Sequence, residues 1–208
     1  MHKLTLWQWN LCCWYVWMIV WGIAALRRKA DKTVEPLTNR LAYALLLAFG
    51  FALLFSRSLP LGPLRVRFAP PTEWLQLLGL AVMYVGVALA IWARITISDN
   101  WSGRITVKVG HQLVTSGPYA FVRHPIYTGL LTCAIGTALQ VGEWRGLAAI
   151  PIVAVGCTIK AKKEERYMNK EFGERYSQYR QRTGFLIPRL VASSEVDSPN
   201  RRSSQAGA

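Results

Sequence analysis

Two polar segments of this 208-residue chain concentrate side chains that could do chemistry. The first segment runs from residue 108 to residue 129. Its candidates are a lysine, two histidines, two tyrosines and an arginine: Lys108, His111, Tyr119, Arg123, His124 and Tyr127. The second segment runs from Lys160 to Tyr179, and its Lys160 and Glu164, four residues apart, face the same side of a helix. Such cations can orient an anion, tyrosine faces can attract a cation, and a glutamate can accept hydrogen bonds from amino or hydroxyl groups.

Each segment also has a plainer interpretation from residue types alone. The first could be a basic loop at a membrane border, with histidine and tyrosine as interfacial anchors. The second could be a solvated amphipathic helix stabilised by side-chain pairs. An acid close to a membrane border and beside a second polar loop is nevertheless a candidate functional site.

The elements that must position these residues belong to a membrane protein. Hydrophobic residues make up 52% of the chain and charged ones only 17%, against roughly a quarter in an average soluble domain. The net charge of +14 would suggest nucleic acid in a soluble protein, but here the basic residues lie between and after apolar runs. We therefore predict contacts with anionic membrane lipids and no nucleic-acid partner.

Five apolar runs predict an all-α, polytopic fold with about five transmembrane helices. The runs are 4–26, 41–55, 74–93, 126–142 and 146–159. A cleaved signal peptide is the alternative for the first run, but its charges follow the run instead of preceding it, which favours an uncleaved span. The last two runs are short and are predicted to form a hairpin, although two helices packed against the others would also fit. From Lys160 to about Tyr179 the pattern becomes amphipathic and charged, which predicts a helix that leaves the membrane and continues into water.

The distribution of lysine and arginine predicts the orientation. With five spans and the N-terminus outside, the inner segments carry 5 (27–40), 4 (94–123) and 11 (160–208) of these residues, or 20 of the 25. Both polar segments then face the cytoplasm. We divide the chain into a three-span part (1–100), a core with two spans (101–190) and a disordered tail (191–208). The short length favours a bacterial inner membrane.

The two polar segments together resemble the isoprenylcysteine carboxyl methyltransferase family. That family carries H-x-L-V-T-x-G-x-Y-x-x-x-R-H-P-x-Y-x-G, followed by an E-E pair, F-G-x-x-Y-x-x-Y and a proline. The first block matches at His111, Leu113, Val114, Thr115, Gly117, Tyr119, Arg123, His124, Pro125, Tyr127 and Gly129. The second block matches at Glu164, Glu165, Phe172, Gly173, Tyr176, Tyr179 and Pro188. The match covers about residues 104 to 189, whereas the N-terminal half is similar only in being apolar.

The resemblance implies a membrane enzyme that binds S-adenosyl-L-methionine between the last two spans and their cytoplasmic ends, without a Rossmann domain. The sequence agrees, since no G-x-G-x-x-G follows a strand pattern. The cofactor residues implied by the family are Lys108, His111, Gln112, Leu113, Val114, Tyr119, His124, Pro125, Ile126, Tyr127 and Glu164. We predict no metal site, because the four cysteines lie in apolar stretches without a CxxC pair.

The resemblance also implies how an acceptor would bind. A family arginine that faces the substrate carboxylate is replaced here by Lys160, which keeps the charge but not the bidentate fork. We predict that Lys160 and Arg123 place the carboxylate of a lipophilic or prenylated acceptor that enters from the bilayer.

Other functions stay open. Related membrane enzymes methylate phospholipid amines or small thiols. Sterol reductases share a similar C-terminal pattern and use NADPH, but the R-H-P-x-Y block and the short chain argue against them. A non-enzymatic membrane scaffold would not require histidine, tyrosine and glutamate to cluster on one side.

Overall fold

The computed structural model describes residues 4–26, 31–34, 36–56, 59, 62–98, 106–108 and 113–189. Within them the apolar runs form helices, as the hydropathy pattern predicts. The helices are α1 (Leu6–Leu26), α2 (Leu37–Phe55), α3 (Glu73–Ile97), α4 (Pro125–Val141), α5 (Trp144–Phe172) and α6 (Glu174–Arg182). Short 3-10 turns lie at Gly62–Arg65 and Gly117–Ala120. Two short strands, β1 (Asp31–Val34) and β2 (Thr106–Lys108), were not predicted and pair antiparallel, with Val34 opposite Thr106.

Three helices, α1, α3 and α5, are long and apolar enough to cross a membrane. Shorter apolar helices cover Arg40–Phe55 in α2 and all of α4. The helical, polytopic membrane class is therefore confirmed, and the count of five spans stays a prediction. The apolar run at 146–159 and the charged segment after it form one continuous helix, as predicted. The end of this helix differs from the prediction. It lies at Phe172 and not near Tyr179, because Gly173 adopts φ +53° and α6 begins after it.

Helix α4 lies at the centre of the bundle and contributes to two apolar cores. The core that it shares with α1 and α3 consists of Cys13, Trp17, Leu80, Met83, Val87, Ala90 and Cys133. The core that it shares with α2 and α5 consists of Leu53, Leu54, Ala134, Ala138 and Ala149. The N-terminal end of α4 is thereby held on several sides, which gives the candidate site a fixed base.

Buried polar side chains hold the helices in register. The Thr137 hydroxyl on α4 accepts a hydrogen bond from Trp14 Nε1 of α1 at 3.1 Å. Arg145, at the start of α5, donates to the carbonyl oxygens of Leu53 (2.7 Å) and Ser56 (3.0 Å) and pairs with Glu143 at 2.6 Å. The guanidinium thus neutralises the C-terminal dipole of α2.

Glycines allow the backbones of α3 and α4 to meet. A Cβ atom at Gly136 would lie 2.5 Å from the carbonyl oxygen of Gly79, and one at Gly129 would lie 2.7 Å from that of Gly86. Small residues at both faces are typical of tightly packed membrane helices. The α3–α4 pair therefore depends on residues that have no side chain.

We expect Gly136→Leu to abolish folding, because the clash is with backbone and overpacking costs about 1–3 kcal/mol even where side chains can move. Gly22→Leu on α1 is the matched control, since a Cβ there has no neighbour within 4 Å. Gel filtration and thermal unfolding in detergent would report the difference. A monodisperse Gly136→Leu variant with wild-type thermal stability would show that α3 and α4 do not pack this closely.

Candidate active site

The start of α4 and the charged C-terminal part of α5 bring the two polar segments together. The two helices pack against each other and are joined by only two residues, with Gly142 in the left-handed conformation at φ +64°. Because the connection is so short, the start of α4 lies beside the charged part of α5. His124 occupies the N-cap position of α4, and Pro125 takes the first helical position, where its missing N–H costs nothing.

Glu164 is the first centre of contacts. Its Oε1 accepts a hydrogen bond of 2.5 Å from the Tyr127 hydroxyl, and its Oε2 lies 3.6 Å from His124 Nδ1. The Glu164 side chain is 25% exposed, whereas that of His124 is 8% exposed. The carboxylate is therefore oriented from the protein side while part of it can still meet a ligand.

Glu165 is the second centre of contacts. It shares His124 with Glu164 but otherwise contacts two arginines. Its Oε1 lies 2.6 Å from Arg123 Nε and 3.4 Å from His124 Nε2, and its Oε2 lies 3.7 Å from Arg180 Nε. The imidazole of His124 consequently contacts both adjacent carboxylates. The ring also contacts Tyr127 and Phe185, with centroid distances of 5.7 and 5.2 Å.

These carboxylates determine the protonation of His124. Burial on its own lowers the pKa of the imidazole, but contacts with Glu164 and Glu165 outweigh the burial and raise the pKa above its usual value. The imidazolium form then stabilises the two carboxylates, which would otherwise repel each other at the base of the site.

The C-terminal segment fastens the loop before α4. Arg123 N donates to Gly184 O at 2.9 Å, and Gly184 N donates back to Phe121 O at 3.0 Å. The Thr128 hydroxyl donates to Leu186 O at 2.7 Å. The turn at Gly173 lets α6 fold back, so that the buried Tyr179 donates its hydroxyl to Tyr119 O at 2.7 Å. The F-G-x-x-Y-x-x-Y pattern thus serves to hold the His124 loop against α5.

Lys160 lies one turn before Glu164 on α5 and contacts aromatic rings. Its Nζ is 5.5 Å from the ring centroid of Tyr127 and 5.7 Å from that of Tyr43 on α2. Lys163 Nζ is 5.3 Å from the same Tyr43 ring. Such distances are typical of cation–π contacts.

The structure brings together several of the residues that the sequence selected. His124, Tyr127, Lys160 and Glu164 form one cluster, and Arg123 joins it through Glu165. The remaining predicted residues are arranged around this cluster. Tyr119 and Pro125 are buried, Ile126 packs on the α1–α3–α4 core, Leu113 and Val114 are half-buried, Lys108 ends β2, and His111 and Gln112 lie outside the described residues.

Sequence reasoning missed part of the cluster. Tyr43 belongs to no motif and lies in an ordinary apolar run, so nothing in the sequence marks it. Arg180 and Phe185 lie between Tyr179 and Pro188 of the second motif block, at positions that the pattern leaves open. Their contacts with Glu165 and His124 depend on the fold of α6.

We expect the His124 contacts to make thermal stability fall as the pH rises. The folded pKa is above the unfolded value of about 6.5, so the stabilisation is complete below that pH and is lost as the pH rises through the folded pKa. His124→Gln should remove this loss. The wild-type melting temperature relative to the variant should therefore drop as the pH rises above about 6.5. An unchanged difference would mean that His124 does not titrate against the carboxylates.

The sequence is similar to those of known membrane methyltransferases. Residues 74–175 match the model of the phospholipid methyltransferase family. The chain is 32% identical over 120 residues to protein-S-isoprenylcysteine O-methyltransferase B of Arabidopsis thaliana, covering 55% of this chain and 60% of the relative. The human protein-S-isoprenylcysteine O-methyltransferase is 30% identical over 134 residues, with 60% and 44% covered.

A solved structure has a similar fold. The eukaryotic intramembrane Ras methyltransferase, an isoprenylcysteine carboxyl methyltransferase, superimposes with a TM-score of 0.52 at 26% identity, covering 71% of this chain and 52% of that one. The chain thus spans about half the length of the relatives that it matches.

The fold and the comparisons together define an integral membrane protein whose relatives are methyltransferases. More narrowly, the chain is related to the isoprenylcysteine carboxyl methyltransferases.

Proposed function

We propose that this protein is a membrane methyltransferase that uses S-adenosyl-L-methionine to methylate the carboxylate of a prenylcysteine-like or other lipophilic acceptor. The observation that carries the proposal is the cluster of Glu164, Tyr127 and His124 beside Lys160. A partly exposed carboxylate, contacted by the buried His124 and the half-buried Tyr127, lies next to a cation at one end of two apolar helices. A hydrogen-bond acceptor, Glu164, and a cation, Lys160, are thus close together.

The residues at this place fit the cofactor. Glu164 can accept hydrogen bonds from its amino or hydroxyl groups, and the Tyr127 ring can face its positive sulfonium. When bound, S-adenosylmethionine supplies an electrophilic methyl group. The extended segment at 113–116 and the His124 loop would line the same space, with His111 and Gln112 as further proposed contacts.

The chemistry requires positioning more than proton transfer. A carboxylate is already a nucleophile at neutral pH, so the protein needs no strong base. Holding it in line with the reactive methyl contributes about 7–11 kcal/mol in favourable cases. We assign that placement to Lys160. Arg123 has its guanidinium directed to Glu165 and to the Thr183 and Arg180 carbonyls, so we assign it to organising the loop.

A phospholipid methyltransferase is the second candidate, because the matching family model carries that description. Its acceptor would be an amine. Two lysines, Lys160 and Lys163, lie near the site and would repel a protonated amine. An acceptor panel of a prenylcysteine, a phosphatidylethanolamine and a thiol separates these activities.

Calorimetric titration of the detergent-purified protein with S-adenosylmethionine and, separately, with NADPH tests the class. We expect saturable binding of S-adenosylmethionine and none of NADPH. Binding of NADPH alone would instead support a sterol-reductase-like enzyme, and binding of neither would support a scaffold.

We also propose a five-span topology with the N-terminus outside and the α4–α5 pair as a hairpin in a bacterial inner membrane. The acceptor would enter sideways from the bilayer, and the cofactor would enter from the cytoplasm. Alkaline phosphatase fused after Ala69 should be active in a bacterial host and inactive when fused after Arg189. The reverse pattern would invert the topology.

A further inference from the structure

The ammonium group of Lys160 lies over two tyrosine rings that come from different helices. Tyr127 belongs to α4, within the region that matches the family model, whereas Tyr43 belongs to α2, outside it. Tyr43 is only 5% exposed, and its ring is also 5.3 Å from Lys163 Nζ. One buried ring from the N-terminal half of the chain therefore contacts two cations of the candidate site.

A lysine at this position needs such support. Its ammonium stands at the end of a flexible four-carbon chain, and it lacks the rigid planar fork of an arginine. An aromatic face attracts the ammonium through its quadrupole and leaves its positive charge in place. Glu164, one turn along α5, also acts on Lys160. The Tyr43 ring adds a contact from a different helix.

We propose that Tyr43 is a positioning residue, whose ring holds the Lys160 ammonium where the anionic group of the acceptor binds. Helix α2 thereby contributes to acceptor recognition, although it lies outside the matched region. This inference rests on the proposed function, and it commits to an anionic acceptor group.

The first experiment needs no activity. Lysines of the ligand-free protein are reductively methylated with ¹³C-formaldehyde, and the Lys160 signal is assigned as the one that Lys160→Arg removes. Ring currents should shift this signal upfield in the wild type and in Tyr43→Phe, and less so in Tyr43→Leu. An unchanged Lys160 signal in Tyr43→Leu would show that the ring does not hold the ammonium.

The second experiment is a double-mutant cycle with N-acetyl-S-farnesylcysteine as the acceptor. Tyr43→Leu should lower kcat/KM for this acceptor about five- to thirtyfold, the range of a partly desolvated cation–π contact. The Kd for S-adenosylmethionine should stay at the wild-type value, and Tyr43→Phe should keep wild-type kinetics. In a Lys160→Met background Tyr43→Leu should cause no further loss, whereas in a Lys163→Met background the loss should persist.

Two results would overturn the proposal. An equal loss from Tyr43→Leu with and without Lys160 would make Tyr43 a packing residue, and a Tyr43→Phe variant as poor as Tyr43→Leu would assign the effect to the hydroxyl. If Tyr43→Leu fails to fold, Tyr43→Met takes its place, because the flexible, unbranched methionine side chain fills irregular core gaps. An upfield-shifted Lys160 signal in a protein that neither binds S-adenosylmethionine nor methylates the probe would refute the proposed function and leave the ring contact standing.

Discussion

Replacing Glu164 with alanine is expected to abolish S-adenosylmethionine binding while the protein still inserts into the membrane. The variant loses the one carboxylate that is fixed by Tyr127 and His124 and still partly exposed. A hydrogen bond to a charged group contributes about 1.5–3 kcal/mol, and more than one such bond would be lost, so we expect at least about 100-fold weaker binding. His124→Ala should have the same effect, because it removes a group that orients this carboxylate. Calorimetric titration in detergent measures both.

Two further glutamates serve as controls for this prediction. Glu165→Gln removes the adjacent carboxylate, which pairs with Arg123 and Arg180. This variant should have a lower melting temperature and a cofactor affinity close to that of the wild type. Glu174→Gln, at the exposed start of α6, should change neither. Wild-type affinity in both Glu164→Ala and His124→Ala would place the cofactor elsewhere.

Replacing Lys160 with alanine is expected to spare cofactor binding and to reduce turnover about 10- to 100-fold. Lys160 supplies the positive charge that places the acceptor carboxylate, and a charge-assisted hydrogen bond is worth about 1.5–3 kcal/mol. Lys160→Arg should recover activity, because the guanidinium keeps the charge and restores the family's fork. Methyl transfer to a prenylcysteine acceptor at saturating S-adenosylmethionine measures the effect.

Lys170→Ala, on the same helix but exposed, is the matched control and should behave as the wild type. Turnover that is unchanged in Lys160→Ala would remove Lys160 from the mechanism. A loss of cofactor affinity in that variant would instead make Lys160 part of the cofactor site.

The helices were predictable to different degrees. The runs at 4–26 and 74–93 correspond closely to α1 and α3, because a long uncharged segment must satisfy its backbone internally in lipid. The run at 146–159 was predicted to continue as a charged helix to about Tyr179, but α5 ends at Phe172 and the turn at Gly173 separates it from α6. A change from apolar to charged residues marks where a helix leaves the membrane, not where it ends. The pairing of β1 with β2 joins segments far apart in sequence, and no local pattern indicated it.

The candidate site divides in a similar way. The spacing of Lys160 and Glu164 was readable, because residues four apart share a helix face wherever the helix lies. The contacts of Arg123 could not be predicted from the sequence. Residue type indicates a cation but does not say which anion or carbonyl it will face. The structure directs it to Glu165 and to the α6 segment.

The sequence by itself thus determined that this protein is a helical membrane protein and which two polar segments form the candidate site. Hydropathy and motif spacing are local properties, and they depend on no contact between distant residues. Only the tertiary structure decided which groups meet: His124 between two carboxylates, Arg123 against Glu165, and Tyr43 beside Lys160. These contacts depend on how α2, α4, α5 and α6 pack. Glycines let α4 pack closely against α3, and the turns at Gly142 and Gly173 set the directions of α5 and α6. The effect of these glycines on the site appears only when the whole chain has folded.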